Sequence, residues 1–363
     1  MFCFLFFKIS KISPYSYVKK NSTIAYHRRL ESFDGDAANF WSQAPFREKT
    51  ETAPSAMCVD GELKDGAALL QGWRVHFRDL ASTWPALSDN IHPFAFDTDF
   101  KRQVETELPR LERNSVLSPL DHDFTWEEIQ AQVTKWKPNK AAGPDEILPI
   151  FIETAVTCSK AIEESSLPTA LTAVANAAFD NWPSCWREGT AAPLFKRKGS
   201  NLEFTDHRGV TLLNALSKLV SGAATKRVYE YLENNNYLAE EQGGFRRNRG
   251  SDFHIFNLHQ VLYLRKAQNL GSIVAFIDLR KAYDKVWIQG LRVKLLRSGV
   301  TGRMYNLFKN MLASHSRRVG SPLDQSLSHP FLVAQGLPQG APESPVPLAL
   351  FTNDLTERLK QRG

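Results

Sequence analysis

Most of the chain repeats its apolar residues at helical spacing, but between Ser272 and Ile277 the period changes. Ser-Ile-Val-Ala-Phe-Ile is a compact, β-branched and aromatic run, closed by Asp278. Such a run reads as a buried central strand, so the helices around it are expected to pack on a sheet. A carboxylate at the carboxyl end of a buried strand, with basic residues close behind, can present a metal at a cleft. Magnesium takes one or two carboxylates and fills its shell with substrate phosphates and water. Capping of the following turn is the plainer role for Asp278 taken alone. Asp284, six residues on, reads as the N-cap of a helix holding Val286, Leu291, Val293 and Leu296.

Punctuation and periodicity set the other elements. Thr125-Trp126-Glu127-Glu128 opens as a capping box, and Ile129, Val133 and Trp136 share a face of a helix ending at Pro138. Asn139 to Asp145 is a turn by its Gly-Pro-Asp content. Helices follow at 150–162 and 169–181, then a strand at 191–195 running into the basic hairpin loop Lys196-Arg197-Lys198-Gly199. Long helices are expected over 212–232 and 253–268, and an amphipathic one carries Met304, Leu307, Phe308 and Met311. A strand pair at 317–320 and 330–334, a loop at 336–345 and a helix at 346–359 complete the reading. Residues 1–114 mix polar loops with one helix, Glu62 to Leu80, and form a mainly helical or irregular N-terminal region. The expected fold class is α+β, with an α/β-like alternation of helices packed on a sheet.

At 363 residues and 42% hydrophobic content the chain can fill two or three compact lobes, which excludes a disordered tail or a fibre. The net charge of +6 is unevenly spread: residues 187–318 hold 23 Lys and Arg against 10 Asp and Glu. That concentration fits a polyanion partner, or else a well-solvated basic surface. Cys3, Cys58, Cys158 and Cys185 are too scattered for a disulfide framework or a zinc site, so reduced thiols in an intracellular protein, in nucleus or cytoplasm, are expected. The apolar Phe2–Phe7 run is too short for a signal-peptide core or a membrane span, and a soluble chain with no membrane partner is expected.

Three loops carry candidate chemistry. Gly243–Gly250 holds Arg246, Arg247 and Arg249, which can grip phosphates bidentately or form a solvated turn. Lys196, Lys198 and Arg208 can clamp a triphosphate or keep a hairpin soluble. In Leu337–Pro342, Gln339 stands between Pro338 and Gly340, residues that fix the backbone on either side.

The order and spacing of these signals resemble the reverse transcriptases of non-LTR (LINE-type) retrotransposons over about residues 114–363. Lys137–Asp145 resembles their upstream NKAPGPDGI segment. Pro193–Gly199 with His207–Leu213 resembles PIFKKGD…YRPISLL, and Gln242–Ser251 resembles QxGFRxGRST. Phe276–Val286 resembles motif A, FLDLSKAFDKV. Gly336–Pro345, continuing to Asn353-Asp354-Leu355, resembles motif B, GVPQGSPLSP…INDL.

The resemblance implies a right-hand polymerase fold, with fingers at 115–270 and an incomplete palm at 271–363. It implies an RNA-directed DNA polymerase working on an RNA template, a DNA primer and deoxynucleoside triphosphates with Mg²⁺ or Mn²⁺. Asp278 would be the catalytic carboxylate and metal ligand, joined by the Leu279 carbonyl. Tyr283 would lie under the incoming sugar. Arg208, Lys196 and Lys198 would neutralise the triphosphate, while Gln339 and Gly340 line the nucleotide pocket. Arg246, Arg247 and Arg249 would hold template or primer.

Glu146 and Gly209 stand where the family usually has Gly and Pro, and Glu343 where an apolar residue is usual. Motif C, F/YADD, is absent, and the 363 residues contain no Asp-Asp pair. The chain is therefore expected to be inactive by itself. The alternative is a non-catalytic nucleic-acid-binding remnant of such an element.

Overall fold

The computed structural model describes residues 3–5, 56–59, 62–82, 98–136, 140–159, 165–279, 281–320 and 326–362. The opening of the Lys137–Asp145 segment and Arg280 of the motif A segment lie outside these. The chain begins with β1 (Cys3–Leu5) and an antiparallel hairpin of β2 (Ala56–Val59) and β3 (Glu62–Asp65). The helix expected from Glu62 starts later, as α1 (Gly66–Ala81), and its Leu69, Trp73, Phe77 and Ala81 recur every fourth residue on the buried face. Helices α2 (Thr98–Arg113), α3 (Trp126–Val133), α4 (Pro149–Ser159) and α5 (Leu167–Asp180) follow. The capping box of α3 forms as expected, the Thr125 hydroxyl accepting from Glu128 N and Glu128 Oε2 accepting from Thr125 N.

The hairpin of β4 (Gly189–Phe195) and β5 (His207–Leu212) leads into α6 (Ala215–Asn234) and α7 (Ser251–Ala267). Then come β6 (Ala275–Ile277), α8 (Ile288–Arg297), α9 (Gly302–Met311), β7 (His315–Val319), β8 (Phe331–Val333), α10 (Pro345–Thr352) and α11 (Asp354–Arg362). Four strands form one mixed sheet in the order β5-β4-β7-β8, with β4 and β7 parallel and the outer pairs antiparallel. The whole is a mixed α/β fold with helices packed around small sheets. Among the described residues no helix is long and apolar enough to cross a membrane.

Two apolar clusters hold it together. Trp73 and Phe77 of α1 lie against Ala191, Val319, Phe331 and Val333 and so cover one face of the sheet. The larger cluster joins α2, α3, α5, α6, α8, α9 and α10. At its rim Arg227 of α6 makes a bidentate pair with Glu128 (2.9 and 2.6 Å) and donates to the carbonyls of Leu120 and His122.

The structure overturns two expectations. The Ser272–Ile277 run is not a buried central strand: among the described residues β6 lies outside the four-stranded sheet and pairs with β1 alone, Phe276 opposite Phe4 in the register. One hydrogen-bonded neighbour supplies no covering layer, so Phe276 and Ile277 stay 63% and 41% exposed. Asp284 is not a helix cap either, because α8 begins at Ile288 with Trp287 as its N-cap. The carboxylate is turned to another partner.

Candidate functional site

The β4–β5 hairpin supplies the first part of the site. Register sets Arg208 opposite Leu194, on an exposed stretch of β5. Lys196 is pinned at the loop mouth, its N–H donating to Asp206 O (2.9 Å) and its ammonium to Thr205 O (2.6 Å). Burial and the neighbouring Arg208 lower the Lys196 pKa, against the pull of Asp206 and Asp284. Lys198 sits exposed in the loop itself.

Gln339 is docked on the edge of this hairpin. Its carbonyl accepts from Thr211 N of β5 at 2.8 Å. Its side-chain Nε2 donates to both oxygens of Asp284, at 3.1 and 3.0 Å. The loop reaches that position because Gly336 N and Leu337 N donate to the carbonyls of Val286 and Tyr283. Gly336 takes φ +86°, and a Cβ there would lie 2.8–3.0 Å from the Asp284 backbone, so only glycine allows the approach. Gly340 continues the same loop beside Val210.

Charge gathers around Asp284. Burial raises its carboxyl pKa, while the Gln339 amide, Arg317, Lys281 and Lys196 pull the other way. Arg317 projects from β7 with Nε and Nη2 shut off from solvent and without a hydrogen-bond partner, and burial lowers its pKa to about 10. Buried Glu343 accepts from the Ser221 hydroxyl at 2.8 Å and lies within electrostatic reach of Lys218 and Arg317. A carboxylate is thereby tolerated where the resembled motif is apolar.

The arginine loop divides in two. Arg246 turns inward, 9% exposed, with Nε and Nη2 on Glu233 (2.8 and 2.6 Å) and Nη1 on Ala239 O (2.7 Å). Its donors tie the loop to α6. Arg247 stays exposed over the Tyr229 ring, and Arg249 rests on Glu240. Phe245 of the same loop meets Tyr283 edge-on, with centroids 6.2 Å apart. Tyr283 is half-buried, and that burial pushes its phenol pKa up.

Electrostatic neighbours and contacts therefore chain together Lys196, Arg208, Gln339, Tyr283 and the arginine loop. Asp278 and Leu279 are exposed just after β6, and among the described residues no hydrogen bond or ion pair ties Asp278 to the others. A carboxylate and a main-chain carbonyl are hard oxygen donors of the kind magnesium takes, and they fit such an ion. Among the described residues no three His, Cys, Asp or Glu converge. Phosphates of a substrate and water would therefore have to supply most of the coordination. Sequence reasoning missed Asp284, Arg317 and Lys281 as members of this site. Gln339 lies 55 residues from Asp284, and Arg317 comes from β7, so no local spacing joins them to Asp284.

Residues 196–363 match the family described as Reverse transcriptase (RNA-dependent DNA polymerase). The chain is 24% identical over 277 residues to the probable RNA-directed DNA polymerase from transposon X-element of Drosophila melanogaster. That match covers 75% of this chain and 29% of the relative. It is 25% identical over 240 residues to the RNA-directed DNA polymerase from mobile element jockey of Drosophila funebris, covering 64% of this chain and 24% of that protein. Over residues 196–363 the chain is similar to reverse transcriptases. The family match opens at Lys196, while the longer similarity to the X-element protein extends upstream of it. The chain spans under a third of the length of these two relatives.

Proposed function

We propose that this chain is a reverse transcriptase domain that binds an RNA template, a DNA primer and deoxynucleoside triphosphates for RNA-directed DNA synthesis. The observation that carries the reading is the docking of the Gln339 loop on the edge of β5, beside Lys196, Arg208 and the Tyr283 turn. In this reading residues 115–270 serve as fingers and 271–363 as part of the palm of a right-hand polymerase. Arg208, Lys196 and Lys198 neutralise the triphosphate. Gln339 and Gly340 line the nucleotide pocket, and Tyr283 lies under the sugar and excludes a 2′-hydroxyl. Arg247 and Arg249 hold template or primer through phosphate contacts that are blind to sequence. Magnesium or manganese enters as family chemistry, with Asp278 and the Leu279 carbonyl as its protein ligands. Bound there, such an ion stabilises developing charge on phosphate oxygens. The setting of Asp278, exposed and among the described residues without a hydrogen bond or ion pair to the other site residues, favours a second reading for these 363 residues, nucleic-acid binding without turnover.

The test is an anisotropy titration of labelled single-stranded RNA. Binding at low salt with log K falling by about 0.7 for each phosphate neutralised supports the reading. Absent or salt-independent binding removes it.

A further inference from the structure

We propose that Asp284 is a positioning residue that fixes which face of the Gln339 amide is offered to the incoming nucleotide, with Arg317 as a buried positive charge near it. The inference rests on the reading above, in which Gln339 lines the nucleotide pocket.

An ionised carboxylate only accepts hydrogen bonds. With both Asp284 oxygens 3.0–3.1 Å from Nε2, the amide nitrogen has to face Asp284, and the Gln339 carbonyl oxygen is turned the opposite way. The main chain of Gln339 cannot follow a side-chain flip, because its own carbonyl is held by Thr211 N. Gly336 and Leu337 bind the loop to the same turn that bears Asp284, so the two partners move as one unit.

Arg317 completes the device. Its Nε and Nη2 are buried with no hydrogen-bond partner, and the carboxylates that face it are Asp284 and Glu343. The charged groups acting on Asp284 are Arg317 of β7, Lys281 of its own turn and Lys196 of the hairpin. All three are cations that favour the ionised carboxylate. A protonated Asp284 could donate, and the amide would then be free to present its nitrogen instead. The ionised pair thus fixes an acceptor, the Gln339 carbonyl oxygen, toward the pocket.

The test is a double-mutant cycle on nucleotide affinity. Wild type, Asp284→Asn, Gln339→Ala and the double variant are titrated with the deoxynucleoside triphosphate complementary to the next template base, on a fixed RNA–DNA primer-template. Primer-template affinity and the melting temperature are followed in parallel. Each single variant is expected to weaken nucleotide binding about tenfold, the double variant no further, with primer-template affinity unchanged. Asp284→Asn removes one of the two carboxylates, Asp284 and Glu343, that act on the buried Arg317, and risks misfolding. The pair Asp284→Asn with Arg317→Met removes both charges, and it must show the same nucleotide loss. Additive losses, or wild-type nucleotide affinity in Asp284→Asn or in that pair, overturn the proposal. If the wild type holds primer-template but does not prefer the complementary nucleotide, the nucleotide-pocket reading itself fails, and the proposal falls with it.

Discussion

Gly209 of β5 lies directly beneath Phe77 of α1: a Cβ at position 209 would stand 2.6 Å from Phe77 Cε1. The helix from the N-terminal region is thereby seated on the sheet that carries Arg208. Gly209→Ala is expected to destabilise the protein by about 1–3 kcal/mol through overpacking. Combining it with Phe77→Leu should recover part of that loss. Denaturant unfolding of the three variants measures it. Equal stabilities would show that α1 is not packed on the hairpin.

Glu146 holds φ +56°, a left-handed conformation that costs a side-chain-bearing residue about 1 kcal/mol or more. Glycine is usual at this point of the resembled segment. Glu146→Gly should raise stability by about 1 kcal/mol, and Glu146→Val should lower it; a chemical-denaturation midpoint for each variant checks the sign.

The hairpin, the basic loop and the capping box at Thr125 were legible in the sequence because each is local: turn residues, alternation and a four-residue cap carry their own signal. The Ser272–Ile277 run shows a limit of that logic. Its composition reports a preference for burial, but which element supplies the cover is a tertiary matter, and among the described residues only β1 pairs with it. Asp284 failed for a related reason. An acidic residue ahead of a helical pattern looks like a cap, whereas its partner Gln339 lies 55 residues away. An arginine in a glycine-bounded loop reads as a phosphate ligand, and nothing local distinguishes Arg246, which turns inward, from Arg247 and Arg249.

That difference predicts opposite phenotypes. Arg246→Ala removes one partner of a largely buried, bidentate pair and should cost about 3–5 kcal/mol of stability. The double variant Arg247→Ala, Arg249→Ala should leave the melting temperature within a few degrees while weakening RNA binding and flattening its salt slope. Thermal unfolding and anisotropy on both proteins separate the two roles. An Arg246 variant of normal stability with weak RNA binding would reverse the assignment.

Glu112 of α2 is held by Tyr305, Arg292 and Lys309. Burial pushes its pKa up, but hydrogen bonds from Tyr305, Arg292 and Lys309 outweigh this and bring it down from 4.5 to about 2. A carboxylate depressed on folding stabilises the fold above its unfolded pKa, and that contribution is lost as pH falls from about 4.5 toward 2. Glu112→Gln should lower stability near neutral pH and flatten the acid limb of the stability curve across that window. Unfolding titrations from pH 7 to pH 2 check both, and a parallel acid limb in the variant would contradict the assignment.

With no Asp-Asp pair in the 363 residues, primer extension by this chain on an RNA template with Mg²⁺ or Mn²⁺ is expected to show no incorporation. Incorporation that Asp278→Ala abolishes would prove that expectation wrong and place catalysis in these residues.

The most direct measurement of the central claim is retention of labelled deoxynucleoside triphosphates by the protein on an RNA–DNA primer-template. The complementary nucleotide should be retained in preference to the three mismatched ones, and Arg208→Ala should weaken that retention without releasing the primer-template. Equal retention of all four nucleotides, or an Arg208→Ala variant indistinguishable from wild type, would contradict the account.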